Sequence, residues 1–131
     1  MVLLAVISIL ALIVIPRIIG AARRSNEVAL RADLRNFRVA IEHFHADCGG
    51  HPPRLDDILA CSGDDVSATV DGAGRTLDLG SYRGPYLRTG DMLLPCDPIT
   101  NRRDWRYDSA PGDVHSVSTL VGTDGTPYAR W

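Results

Sequence analysis

Apolar residues are unevenly spread along this chain. From Met1 to Ile15 every position is apolar except Ser8, and after Pro16 and Arg17 the run resumes as Ile18, Ile19, Gly20, Ala21 and Ala22. A helix that is apolar all round has no face for water, so it predicts contact with lipid or with other apolar helices. Fifteen helical residues reach about 22 Å, against a bilayer core of about 30 Å. The block is therefore short for a span and becomes adequate with a few more residues ahead of it. Pro16 lacks a backbone donor and crowds the carbonyl of Leu12, and Gly20 loosens the same stretch. Together they predict a kink or local opening between Leu12 and Gly20.

Beyond Gly20 the pattern becomes amphipathic. Leu30, Leu34, Phe37, Ile41 and Phe44 recur at steps of four, three, four and three, which predicts one buried helix face. Arg24, Arg31, Arg35 and Arg38 lie largely on another side, and Glu27 stands four residues before Arg31, the favourable order for a helical ion pair. Gly49-Gly50 and then Pro52-Pro53 stop the helix near Cys48. The expected result is one continuous helix of about 45 residues. Residues 1–22 form its apolar half, residues 23–48 its amphipathic half, and residues 49–131 a small globular domain packed on the latter.

Within that domain Arg54–Ala60 reads as a short helix. Ser62 to Gly80 is rich in Gly, Ser and Asp and reads as a surface loop. It has room for a small hairpin of Ala68–Val70 against Arg75–Leu79. Trp105–Asp108 and Val114–Val121 read as two strands joined by a turn at Pro111-Gly112-Asp113. Val117, Thr119 and Val121 then share a face, expected to cover the stripe of Leu34, Phe37, Ile41 and Phe44. The fold class is α+β.

Charge and chemistry narrow the function classes. The net charge is −2, so no overall field favours nucleic acid. All 14 basic residues are arginine, and between residues 17 and 38 six of them meet only Glu27 and Asp33. Phosphate contacts need only such basic side chains, but no aromatic residues interleave with them to stack bases. Ion pairing is the better reading, and nucleic acid is not an expected partner. His43, His45, Asp47, Cys48 and His51 form the one dense group of metal-ligating types. His43 and His45 project about 200° apart on a helix, and His45, Cys48 and His51 converge on zinc only if the chain turns back at Gly49-Gly50. Surface histidines near a helix end are the plainer reading. A Cys–His catalytic pair finds no oxyanion loop, so no catalytic residue is expected. Three cysteines without a CxxC pair disfavour zinc-ribbon and thioredoxin-like folds and allow one disulfide in an oxidising compartment. A cleaved signal peptide is the alternative for the first 22 residues, with Gly20-Ala21-Ala22 as the cleavage region. Against it stand the missing basic n-region and Arg17.

The segment MVLLAVISILALIVIPRIIGAA, followed by an amphipathic half-helix, resembles the type IV pilin superfamily, with Pro16 in the place of that family's proline. Arg83-Gly84-Pro85-Tyr86-Leu87, Leu94-Pro95-Cys96-Asp97-Pro98, Trp105-Arg106-Tyr107 and Gly122-Thr123-Asp124-Gly125 resemble, in order, motifs of type II secretion major pseudopilins. That register puts Met1 a few residues inside the family's mature N-terminus, so the basic leader, the processing glycine, the N-methylated phenylalanine and the assembly glutamate are expected ahead of Met1. The resemblance implies a long helix packed on a small antiparallel sheet domain and a structural, non-enzymatic role. The implied localisation is single-pass in the bacterial inner membrane with a periplasmic domain, and then a filament. The arginines after the apolar block point the other way, toward a cytoplasmic C-terminal side. Implied partners are identical copies, minor pseudopilins, the inner-membrane assembly platform and lipid before assembly. Leu3, Leu4, Val6, Ile7, Leu10, Ile13, Val14, Pro16, Ile19 and Gly20 are the expected assembly residues. A pilus subunit for adhesion, motility or DNA uptake is the nearest alternative. Cys61 with Cys96 is the favoured disulfide, with Cys48–Cys61 and free thiols as alternatives. Calcium near the C-terminus of such relatives makes Asp124 a candidate ligand. However, calcium needs six to eight oxygens, and the tail after Asp124 supplies no further acid, so a turn aspartate is the better reading.

Overall fold

The computed structural model describes Val2–Trp131, with side chains described at residues 6–8 and from Gly20 onward. Helix α1 spans Val2–Cys48, about 70 Å at 1.5 Å per residue. It ends where the sequence supplies a residue without a Cβ. Gly49 takes φ +78°, and its N–H donates to the carbonyl of His45 at 2.9 Å. The left-handed residue satisfies an otherwise orphaned carbonyl and turns the chain back.

The described side chains of Val6–Ser8 and Gly20–Asn26 are exposed, and burial begins at Glu27. From there Leu30, Leu34, Phe37, Ala40, Ile41, Phe44 and Cys48 are all buried. They continue one face at steps of three and four, so the domain packs along the second half of α1. Among the assembly residues, Val6, Ile7 and Gly20 are exposed; Leu3, Leu4, Leu10, Ile13, Val14, Pro16 and Ile19 lie outside the described side chains.

Two apolar groups cover the helix face. The larger joins Leu30, Leu34, Phe37 and Ile41 to Leu55, Ile58, Leu59, Leu94, Val114 and Tyr128. Trp105 meets Phe37 edge-on at 4.8 Å between ring centres. The smaller gathers Phe44, Cys48, Val66 and Leu77, with Tyr82 and Tyr86 edge-on to Phe44 at 5.8 and 5.9 Å. Edge-to-face rings add specific attraction to the area they bury.

The expected short helix is a 3-10 turn over Leu55–Leu59. The Asp57 carboxylate accepts from the Arg54 amide at 2.8 Å and from the Ser67 amide and hydroxyl at 3.0 and 2.8 Å. The small hairpin forms where expected. Val70 bridges Thr76, and the buried Asp71 carboxylate accepts from the Ala73 and Arg75 amides at 2.9 and 2.7 Å.

The sheet is a single antiparallel pair, strand β1 at Trp105–Asp108 and strand β2 at Asp113–Ser116. Trp105 pairs with Ser116 and Tyr107 with Val114. The fold is thus α+β: one long helix with a small two-stranded sheet. The second strand is shorter than the sequence implies and shows its other side to the helix. Val114, Ser116 and Ser118 are buried, while Val117, Thr119 and Val121 are exposed. The reason is polar. Ser116 donates its hydroxyl to the fully buried Asp97 carboxylate and accepts from the Ser118 amide at 3.0 Å. A satisfied serine buries at little cost, so the pull of Asp97 on Ser116 decides the register over the apolar count. After Ser116 the chain leaves β1 and runs to the C-terminal turn.

Candidate functional site

Two features of α1 bear on function: its N-terminal half, apolar in sequence and exposed at the described residues 6–8 and 20–22, and the polar clamp that begins where burial starts at Glu27. The clamp is built on Glu27, which lies on the same face as Leu30 and Leu34 and is only 2% exposed. Its carboxylate accepts from the Thr123 amide at 2.9 Å, the Thr123 hydroxyl at 2.5 Å and the Tyr128 hydroxyl at 2.8 Å. Arg23, one turn earlier, stands 3.5 Å from the carboxylate and donates to the Val121 carbonyl. Hydrogen bonds from Thr123 and Tyr128, with the Arg23 charge, hold the Glu27 carboxyl below its ordinary range despite burial.

The ion pair expected between Glu27 and Arg31 does not form, because Glu27 turns into the domain. Arg31 instead meets Asp124 at 3.0 Å and lies over the Trp131 ring at 4.1 Å. Arg38, two turns further, donates to the carbonyls of Val114 and Trp131 and stands 3.7 Å from Asp113. Arg23, Glu27, Arg31 and Arg38 therefore form a row along the helix that fastens the chain's own last residues. The sequence carried one signal for this: an acid at 27 in phase with the apolar stripe.

Gly122–Gly125 makes the tight turn that presents Thr123 to Glu27. The Gly122 amide donates to the Thr126 carbonyl at 2.8 Å, and Gly125 takes φ +81°. Asp124 accepts from the Thr126 amide at 2.9 Å. The calcium candidate is thus a turn aspartate facing a guanidinium. Among the described residues no three His, Cys, Asp or Glu side chains are arranged to hold a metal.

The histidine group resolves in the same way. His45 and His51 lie 4.6 Å apart, while Cys48 is buried among Phe44, Val66 and Leu77. The zinc triad therefore does not assemble. Burial pushes the Cys48 thiol up. The favoured Cys61–Cys96 disulfide is also corrected: Cys48, Cys61 and Cys96 are free thiols, the last two exposed. Hydrogen bonds do the fastening assigned to that bridge. Pro95 accepts from the Trp105 indole at 2.8 Å, and Asp97 accepts from the Ile99 amide at 2.7 Å.

Beside the clamp, where α1 emerges from the domain, lies an apolar groove of about 560 Å³ lined by Arg23, Asn26, Ile99, Leu120, Val121 and Tyr128. Among the described residues no helix is long and apolar enough to cross a membrane. No family model, curated protein or solved structure matches this chain.

Proposed function

We propose that this chain is a non-catalytic subunit of a helical filament, built as type IV pilins are and closest in its motifs to type II secretion pseudopilins. One observation carries the reading: a single helix of 47 residues whose first half is apolar in sequence and whose second half buries one face against the domain. An apolar rod held out from a small cap gains most by exchanging lipid for identical rods. The Glu27 clamp fixes rod to cap, so force along the one reaches the other. The order of Arg83–Leu87, Leu94–Pro98 and Gly122–Gly125 along the chain supports the secretion branch.

In this reading the chain waits in the inner membrane with its domain in the periplasm, and it enters the filament through residues 1–22. Minor subunits and an assembly platform are its partners. The test is electron microscopy of the full chain and of Leu10→Arg. A charge in the middle of the rod costs about 2.5–3.5 kcal/mol at a bilayer centre, so the variant is expected to make no filaments. Normal filaments from Leu10→Arg contradict the proposal.

A further inference from the structure

The groove beside Arg23 is open and apolar. Leu120 is 61% exposed, yet its backbone is hydrogen-bonded on both sides: its amide donates to the Ser118 hydroxyl at 3.3 Å, and its carbonyl accepts from the Tyr128 amide at 3.0 Å. The turn thus anchors the Leu120 backbone while its side chain stays exposed. Val121 beside it is also exposed. Arg23, the one charged residue of the lining, is engaged by the Val121 carbonyl and the Glu27 carboxylate. The walls therefore offer apolar area and no unengaged charge, a poor seat for a charged peptide or headgroup and a good one for an uncharged apolar surface.

The chain itself carries such a surface. Met1–Ile15 has no charged residue, and Val6 and Ile7 are 49% and 55% exposed. Ile7 lies 16 residues before Arg23, about 24 Å along a straight helix, so this half of the rod cannot fold back into its own groove. We infer that the groove of Arg23, Ile99, Leu120, Val121 and Tyr128 seats the apolar half-helix of a second copy of this chain. The inference rests on the filament reading and adds a contact between cap and rod to the packing of rod on rod.

The experiment uses full-length chain in its native assembly, in three forms: wild type, Leu120→Glu and Leu93→Glu. Leu93 is similarly exposed, at 49%, and lies outside the groove. Leu120→Glu is expected to melt like wild type in detergent but to lose filaments, while Leu93→Glu retains them. In a second arm, Leu120→Cys in a C61S/C96S background carries a thiol-linked benzophenone. Illumination of the assembly is expected to join it to residues 2–19 of another copy, mapped by mass spectrometry. Filaments from Leu120→Glu, or capture of lipid or a different protein in place of a second copy, overturn the inference and leave the filament reading standing. Wild type that makes no filament overturns both.

Discussion

At the scale of single residues, buried carboxylates organise the loops. Glu27, Asp57, Asp71 and Asp97 are each buried, and each accepts from two or more amides or hydroxyls. Glu27 has a consequence for pH. Its folded-state pKa is depressed, so the stability it contributes is complete above the unfolded value, about 4.3, and is lost as pH falls through the folded value. Glu27→Gln is expected to lower the melting temperature at neutral pH and to flatten this part of the acid decline. Thermal melts of both proteins from neutral to acid pH check it, and parallel curves contradict it. Tyr82 acts at the other end of the scale. Its hydroxyl donates to the Ala60 carbonyl at 2.7 Å, and burial, then the nearby Cys48 and Asp57, push it up to about 12. Its contribution is complete below the unfolded tyrosine value, about 10, and fades as pH rises toward 12. Tyr82→Phe is expected to remove that component of alkaline destabilisation, measured by denaturant midpoints at high pH.

At the scale of elements, α1 was the most legible part of the sequence. The period of its stripe and the Gly49-Gly50 stop each have one physical meaning, and Leu30, Leu34, Phe37, Ile41 and Phe44 are all buried. Phe37 touches Trp105 at the centre of the larger apolar group. Phe37→Ala is expected to destabilise by about 3–5 kcal/mol through lost burial and a residual cavity. Val117→Ala, on the exposed side of the chain after β2, should stay within about 0.5 kcal/mol. Urea unfolding of the two variants checks the inverted face directly. Strand β2 was misread because counting valines cannot see that Ser116 has a buried acceptor in Asp97, a residue 19 positions earlier. The clamp was hidden for the same reason. Thr123 and Tyr128 lie 96 and 101 positions from Glu27, and no local period links them. What could be read was Glu27 itself, out of place on an apolar stripe. The cysteines were opaque, since sequence gives no pairing geometry.

At the scale of the whole molecule, everything turns on the division of one helix into a half that is apolar in sequence and a clamped half. A helix that is apolar on every side has no face suited to water, which is the ground of the proposal that the chain partners lipid or its own kind. Loss of the clamp should leave the rod apolar but loosen the cap, so Glu27→Gln is expected to assemble into filaments that shed subunits more readily than wild type on dilution. The most direct measurement is sedimentation of the intact wild-type chain after complete removal of detergent. The account predicts large polymers that return to small species when detergent is restored. A monodisperse monomer in plain buffer would contradict it.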